Sequence, residues 1–594
     1  MWQAKSGGGM NNVLRLFKDV FAMLNKREKG RLLLLLGLAL LTMVLEIASV
    51  GVIVPLVGLF TNIEKSSTLP LIGRLTDQYS TSAVLVIVLS GVLGLFVVKN
   101  TVLLASTYIR NRVLTSLNSR LTSELFVRLL EQPYSFHLRT NSAELVQATQ
   151  NISTVTSGSL VPALTILTDS IVGVGILALL VWAEPVGSLV TLGLFGGAGA
   201  WLVASTRSLV ERWGLEAREA KTGVMRALMQ GFGGVREIKI LGRAPMFVQE
   251  HQKFLFKSLR PQRLYSTFST VPRLLFEILA VLGVTVLVAL LIAIDRPIEE
   301  ILPVLALFTV GTFRILPSIA RTIESVQQLR FAGAMVDQAK QLMSLAPEVR
   351  GASSLRGQLR FDSIEVKNLT FSYGGDSMFR LGPLDFGVSR GEYVGLVGES
   401  GSGKSTIVDL ISGLLVPDEG AILVNGHDIG RTREAWQSVI GYVPQSIFLI
   451  DESIRKNVAF GIRDRDIDDL RVAEALEAAQ LSEFVESLSE GVSTHVGERG
   501  VRLSGGQRQR IGIARALYHR PEVLLLDEAT AALDMETERG VMNAIHKLRG
   551  SVTVIIVAHR LTTVERCDRV YRVEQGQIVA SGGFADVVHS MQRK

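Results

Sequence analysis

Residues 393–406 read YVGLVGESGSGKST. Residues 393–397 are predicted to form a buried strand, a glycine-rich turn follows, and a helical pattern continues from Ile407. Glycines at such a turn let backbone N–H groups face a phosphate, and the N-terminus of the following helix adds partial positive charge. This order predicts a phosphate-binding loop in which Lys404 contacts the β- and γ-phosphates and Ser405 offers its hydroxyl to Mg²⁺. The residues predicted to hold the nucleotide are Gly398, Glu399, Ser400, Gly401, Ser402, Gly403, Lys404, Ser405 and Thr406.

A second apolar run, residues 523–526, ends in Asp527 and Glu528. Four apolar residues before two carboxylates indicate a buried parallel strand that delivers the acids to the edge of a sheet. We expect Asp527 to hold Mg²⁺ and Glu528 to be the general base that activates the attacking water. The C-terminal part of the chain is therefore predicted to be an α/β nucleotide-binding domain.

The composition of the whole chain excludes an ordinary soluble protein. Of the 594 residues, 48% are hydrophobic and 20% are charged, whereas soluble domains carry about a quarter charged residues. The mean hydropathy of +0.34 also excludes a disordered chain, which would need low hydrophobicity and high net charge. The single cysteine, Cys567, excludes an internal disulfide and a cysteine-based zinc or iron–sulfur site.

The hydrophobicity is concentrated before residue 330, in six apolar stretches. Each is long enough to cross about 30 Å of hydrocarbon as a helix. Lysine and arginine are abundant in alternate connecting segments and sparse in the others, so the positive-inside rule places both termini in the cytoplasm. This distribution explains the net charge of +7 without a nucleic-acid partner. The predicted spans lie near residues 32–60, 83–106, 160–182, 186–204, 271–294 and 301–319.

The expected domain organisation follows from these patterns. Residues 1–9 are interpreted as a tag or linker remnant, residues 10–335 as the transmembrane domain, 336–357 as a linker and 358–594 as the nucleotide-binding domain. Helical periodicity continues beyond the second span to Pro133, and glycines punctuate the segment before 235–242. The spans should therefore extend into the cytoplasm as helical hairpins with tips at 133–139 and 235–242.

Residues 503–507 read LSGGQ between the phosphate-binding loop and the carboxylate pair. These three motifs in this order resemble the ATP-binding-cassette family. The resemblance extends to Gln445 as the Q-loop residue, residues 532–534 as the D-loop and His559 as the switch histidine. Tyr373 lies where the family stacks an aromatic ring on adenine.

The resemblance implies ATP and Mg²⁺ as cofactors and assigns roles to matching residues. The implied catalytic residues are Glu528, His559, Lys404 and Gln445. The implied metal-binding residues are Ser405, Gln445 and Asp527. The residues implied to close on the nucleotide of another subunit are Ser504, Gly505, Gly506 and Gln507.

Six spans before one cassette resemble an exporter-type half-transporter, which implies a dimer. Because every ATPase motif is intact, we expect a homodimer with two competent sites. A heterodimer with one degenerate partner stays open, as does an ATP-gated channel built on the same scaffold.

Charged residues deep in the predicted spans are the candidates for binding the substrate, namely Glu46, Asp169 and Arg314. Facing lipid at mid-bilayer, each would cost about 3 kcal/mol, so we expect them to face a cavity or one another. Such charges suit an amphipathic anionic substrate. Arg314 is expected to contact its headgroup, and the alternative is an ion pair with Glu46 or Asp169.

Four weaker stretches resemble the bacterial flippases of lipid-linked oligosaccharides: residues 132–134, 237–241, 313–318 and 567–574. This resemblance implies a multi-pass protein of the bacterial inner membrane whose substrate is a lipid-linked sugar. The external segment 61–80 would be a short helix against a polyprenyl tail or a plain loop. A general lipid or multidrug exporter is the alternative.

Overall fold

The computed structural model describes residues 18, 24–52, 81–183, 185–293, 298–348, 359–374, 379–530, 533–558 and 560–592. The chain divides into two compact units. The first contains the described residues up to 132 together with 140–347, and the second contains 133–139 together with the described residues from 348 onward. The expected tag remnant at 1–9, the external segment at 61–80 and linker residues 349–357 lie outside the described residues.

The described part of the chain before residue 345 is helical. A π-helix, Thr156–Leu160, joins the fourth and fifth α-helices, a feature that the sequence pattern did not predict. The α-helices are α1 (Lys26–Gly51), α2 (Thr81–Leu130), α3 (Tyr134–Arg139), α4 (Ser142–Val155), α5 (Val161–Ala183), α6 (Pro185–Ser205), α7 (Arg207–Gly233), α8 (Val235–Ile240), α9 (Ala244–Phe268), α10 (Val271–Ala293) and α11 (Ile298–Ser344).

Several of these helices are apolar enough to cross a membrane, and the predicted helical membrane domain is confirmed. A shorter apolar helix, Leu192–Ser205, lies where the fourth span is predicted, and the predicted sixth span lies inside α11. Among the described residues, the four stretches that qualify by length and composition are Lys26–Ser49, Val86–Leu130, Ser142–Trp182 and Ala244–Leu290. The total of six spans stays a prediction.

Two helical hairpins extend beyond the apolar segments. α2 continues unbroken for 50 residues and ends at Leu130, shortly before Pro133, because proline cannot continue a helix. α4 then begins at Ser142, where the side chain of Asn141 accepts a hydrogen bond from a first-turn N–H. The second hairpin turns through α8. The buried residues on the C-terminal half of α2 are Val113, Leu117, Leu121, Leu125 and Leu129.

The packing of α7 on α11 depends on Gly214. A Cβ added at Gly214 would lie 2.2 Å from the backbone oxygen of Phe331 on α11. The π-helix meets α11 with a similar fit, since a Cβ on Gly158 would lie 2.9 Å from the Cβ of Ala332. Small residues at these crossings let helix backbones approach closely.

The second unit is built on two sheets. Its strands are β1 (Ser363–Ser372), β2 (Arg380–Ser389), β3 (Tyr393–Val397), β4 (Glu419–Val424), β5 (His427–Asp428), β6 (Ile440–Val443), β7 (Val523–Asp527), β8 (Thr553–Val557), β9 (Arg569–Glu574) and β10 (Gln577–Gly582). Its further helices are α12 (Lys404–Ile411), α13 (Ile429–Ser438), α14 (Ile454–Val458), α15 (Asp469–Ala478), α16 (Ser482–Glu486), α17 (Gly505–Tyr518), α18 (Met535–His546), α19 (Leu561–Val564) and α20 (Phe584–Gln592).

The smaller sheet is antiparallel with strand order β2-β1-β4-β5, and the larger has the order β10-β9-β3-β8-β7-β6. In the larger sheet, β9, β3, β8, β7 and β6 are parallel. One apolar core joins the two sheets and α12, and contains the fully buried side chains of Trp436 and Phe361. A second core covers the other face with α17 and α18. The predicted α/β class of this domain is confirmed.

The strand register explains where the motifs lie. Every residue of β3 and of β7 is buried, as expected for strands covered on both faces. Val557 at the end of β8 pairs with Leu396 of β3 on one side and with Asp527 of β7 on the other. The phosphate-binding loop and the two carboxylates therefore begin at the same edge of the sheet.

Gly214→Ala should destabilise the helical unit. We expect a loss of about 1–3 kcal/mol, the range for overpacked sites, because the atom that the new methyl group meets belongs to the backbone and cannot rotate away. Thermal unfolding of the detergent-purified protein measures the change. Gly231→Ala on the same helix is the matched control, since a Cβ there meets nothing within 4 Å. Equal melting temperatures for both variants would contradict the close approach.

Candidate functional site

The predicted phosphate-binding loop has the backbone geometry that its glycines permit. Gly398, Gly401 and Gly403 have φ angles of +154°, +79° and +105°, which favour glycine. A Cβ on Gly398 would lie 2.1 Å from the backbone oxygen of Val573, so no other residue fits. Gly403 directly precedes α12, and its N-cap position places the loop at a helix N-terminus.

Lys404 is buried at the centre of this loop. Its ammonium donates hydrogen bonds to the backbone oxygens of Gly398 (2.9 Å) and Glu399 (2.7 Å). Burial lowers the pKa of Lys404, and the charges of Glu528 and Asp527 oppose that shift. The loop thus holds a cation where phosphate oxygens would approach.

Two oxygen donors lie together at the end of β7. The Ser405 hydroxyl donates to the Oδ1 atom of Asp527 at 3.1 Å, and Asp527 is 4% exposed. Burial and the charge of Asp527 raise the pKa of the nearby Asp409 to about 6. A hydroxyl and a carboxylate are the hard oxygen ligands that Mg²⁺ takes alongside phosphates, so the residues present fit this ion.

Glu528, the predicted base, is brought next to Gln445. The Gln445 amide donates to the Oε2 atom of Glu528 at 2.8 Å. Gln445 follows β6, the neighbour of β7, which explains why residues 83 positions apart meet. Glu528 has a φ angle of +49°, unusual for a residue with a side chain, and its backbone N–H donates to the oxygen of Val557 at 3.0 Å.

Tyr373, the predicted adenine-stacking residue, lies beside the same loop. Its hydroxyl is 3.0 Å from the hydroxyl of Thr406, and its side chain remains 38% exposed. The short helix α3 belongs to the same compact unit, and its Arg139 donates a 2.7 Å hydrogen bond to the backbone oxygen of Tyr373. The sequence predicted a hairpin tip at 133–139, but no pattern indicated its contact with Tyr373.

The LSGGQ segment forms the start of α17. Ser504 caps α17 and Gln507 bonds back to it, a reciprocal capping box. Among the described residues, no hydrogen bond joins Ser504, Gly505, Gly506 or Gln507 to residues 398–406. His559 and Ala532 lie outside the described residues.

The predicted substrate residues form two separate groups in the helical unit. Arg314 bonds to Glu46, with 2.6 Å between Nε and Oε2, and the ammonium of Lys99 lies 3.6 Å from the same oxygen. Asp169 is not part of this cluster, because it pairs with Arg321 at 2.7 Å. Arg321 was missed by sequence reasoning, although its position seven residues after Arg314 places both on one helix face.

This arrangement can perform phosphate chemistry. Glu528 can accept a proton from water, the amide of Gln445 fixes its carboxylate, and Lys404 with the loop N–H groups can bind phosphate oxygens. When bound, Mg²⁺ would neutralise phosphate charge beside Ser405 and Asp527.

Comparisons with known proteins agree with this geometry. Residues 32–314 match the ABC transporter transmembrane region, and residues 381–531 match the ABC transporter model. An ATP-dependent lipid A-core flippase of Burkholderia orbicola (strain AU 1054) is 30% identical over 84% of this chain and 83% of its own length. A toxin RTX-I translocation ATP-binding protein of Actinobacillus pleuropneumoniae is 29% identical over 81% of this chain and 68% of its own.

The fold has a solved counterpart. The structure of a bacterial Atm1-family ABC exporter with ATP bound superimposes with a TM-score of 0.77 over 95% of this chain and 96% of the other. Sequence identity is 21%, so this likeness concerns the fold.

Glu528→Gln should retain nucleotide binding and lose turnover. We expect ATP hydrolysis to fall by about 10²–10⁴-fold, the contribution of a general base, because the amide keeps the shape but cannot accept the proton. Steady-state phosphate release and nucleotide affinity of the purified protein measure the two effects. Glu536→Gln, the same change at an exposed position of α18, serves as the control. Turnover within a few-fold of the parent would exclude Glu528 as the base.

Proposed function

This chain belongs to the ABC transporter family and is an ATP-driven exporter, and we propose that it acts as a homodimeric flippase for an amphipathic lipid with an anionic headgroup. The substrate class we favour is a lipid-linked oligosaccharide, taken up from the cytoplasmic side of a bacterial inner membrane. Both termini would be cytoplasmic. The observation that carries the substrate proposal is the charge of the Glu46 cluster.

The Glu46 cluster (Glu46, Lys99 and Arg314) contains two cations and one anion within apolar helices. Glu46 is 9% exposed and Lys99 3%, so both are held inside the helical unit. The side chain of Arg314 is 38% exposed and forms the accessible end of the cluster. An excess positive charge at such a depth is costly without an anionic ligand.

A second arginine extends this feature along α11. Arg321 lies seven residues from Arg314, about 10 Å further along the helix axis. Its Nε and Nη2 atoms donate hydrogen bonds to the two carboxylate oxygens of Asp169, and its side chain is 53% exposed. Guanidinium groups bind phosphate oxygens in a bidentate manner, so this face suits a phosphate-bearing headgroup.

Some of the relatives are named for lipid transport and others for toxin export. Relatives at about 30% identity include ATP-dependent flippases of lipid A-core, but relatives at 29% are named for toxin export. Family membership therefore leaves the substrate class open, and the proposal rests on the charged face of α11. The alternative is a general lipid or multidrug exporter, and the substrate panel described below distinguishes the two.

The start of α17, which carries the LSGGQ segment, supports the homodimer proposal. The capping box satisfies Ser504 and Gln507 locally, while the backbone N–H groups at the start of α17 remain suited to bind an anion. In a symmetric dimer this helix end would close on the nucleotide bound by residues 398–406 of the other subunit. ATP binding would close the cassettes, and hydrolysis would reset them.

Mixing two inactive variants should restore hydrolysis if sites are shared. Lys404→Ala disables the loop, and Ser504→Asp repels phosphate while keeping a residue that caps helices well. In a mixed dimer both lesions fall in one site and the other is intact. We expect about a quarter of parental turnover from a random mixture with independent sites in a two-fold dimer.

Each variant alone should be inactive, and both should melt near the parental temperature. Co-expression with two affinity tags isolates the mixed species. A mixed dimer as inactive as either parent variant, or a monomer with full activity, would contradict composite sites.

Arg314→Gln should separate substrate recognition from hydrolysis. We expect the stimulating lipid to bind about 10- to 100-fold more weakly, the worth of a hydrogen bond to a charged group. Basal ATPase and thermal stability should persist, because Lys99 still neutralises Glu46. Proteoliposomes containing a pyrophosphate-linked lipid sugar, an anionic phospholipid, a neutral lipid or a cationic drug provide the substrate panel.

Arg212→Gln, at a highly exposed arginine of α7, controls for loss of positive charge. Loss of stability together with all activity in Arg314→Gln would identify the pair as structural. Unchanged stimulation in a stable variant would exclude Arg314 from the headgroup site, and stimulation by the drug alone would indicate a multidrug exporter.

A further inference from the structure

Glu538 on α18 is a buried carboxylate that the hydrolysis chemistry described above does not use. It is 7% exposed and accepts three hydrogen bonds. Its Oε1 atom accepts from the hydroxyls of Thr530 (2.9 Å) and Thr563 (2.8 Å), and its Oε2 atom accepts from the guanidinium of Arg560 (2.9 Å). Such saturation compensates the cost of burying the charge.

The three donors come from the two segments that carry the predicted catalytic residues. Thr530 lies two residues after Glu528 and three residues after the end of β7. Arg560 directly follows His559. Thr563 lies in the next helix, α19. One carboxylate thus joins the segment of the base to the segment of the switch histidine.

The turn at Glu528 needs external support. Its positive φ angle is a conformation that persists only where the surroundings impose it. The hydrogen bond from its N–H to Val557 holds one side of the turn. The bond from Thr530 to Glu538 holds the other side.

We propose that Glu538 is a positioning residue for ATP hydrolysis. It fixes the Glu528 turn relative to the segment after β8, so that Glu528 and His559 act on the same nucleotide. This inference rests on the ATPase roles proposed for those two residues. Glu538 acts through them and does not contact the nucleotide.

Glu538→Gln tests the role in the full-length purified protein. The amide keeps the volume but replaces one acceptor oxygen by a donor, which breaks at least one of the three bonds. We expect kcat for MgATP to fall about 10- to 100-fold, as small misplacements of catalytic groups do. KM should stay within about twofold, the pattern of an interaction that matters only in the transition state. Glu536→Gln, two residues away and exposed, should match the parent.

A double-mutant cycle distinguishes positioning from general stability. If Glu538 acts through the His559 segment, adding Glu538→Gln to His559→Ala should lower kcat by less than about threefold further, because coupled residues are not additive. Multiplying effects on kcat would overturn the action of Glu538 through the His559 segment, and a fall in melting temperature that parallels the loss would overturn the positioning role altogether.

The ATPase role of His559 and the positioning role of Glu538 can be distinguished by their single variants. If His559→Ala alone leaves kcat unchanged, the assignment of His559 falls and this inference falls with it. If His559→Ala lowers kcat and Glu538→Gln does not, only the positioning role is overturned.

Thr563 provides a second route in case Glu538→Gln does not fold. Thr563→Val keeps the shape and removes the donor, whereas Thr563→Ser keeps the donor. We expect about tenfold lower kcat for the valine variant, by the same misplacement, and near-parental kcat for the serine variant. Equal kcat values in the two variants would overturn the proposal.

Discussion

The common carboxyl edge of three parallel strands is the constraint on which the nucleotide domain depends. Val557 is hydrogen-bonded in register with β3 on one side and with β7 on the other. Any slip of β8 would shift the phosphate-binding loop relative to Asp527 and Glu528. The full burial of β3 and β7 opposes such a slip, because a one-residue shift would turn every side chain to the opposite face, where it would have to pack into the other core.

The paired charges of this protein differ in how far their side chains are exposed. Lys404 and Glu538 are almost fully enclosed and bonded to fixed partners. The arginines of α11 are paired as well, but more than a third of each side chain remains exposed. Enclosed charges are held in one geometry by their partners, whereas the exposed part of a guanidinium is accessible to a further partner.

Much of the nucleotide domain could be predicted from the sequence because its signals are local. β3 has the predicted bounds, 393–397, and β7 differs from its prediction by one residue, since both strands are continuous apolar runs. Motif spacing could not reveal contacts between distant segments. The pairing of Asp169 with Arg321 and the bonds of Glu538 depend on tertiary packing that no periodicity encodes. The π-helix at Thr156–Leu160 was missed because its residues also fit an α-helix.

The contact of α3 with Tyr373 has a consequence for how such a protein can change over time. Arg139 bonds to the main-chain oxygen of residue 373, an atom that every amino acid supplies, while the ring at that position faces the nucleotide loop through Thr406. The bond from Arg139 is therefore independent of which side chain stands there. Substitutions at position 373 can change the side chain beside the phosphate-binding loop without altering this bond, so the two contacts are separately accessible to selection.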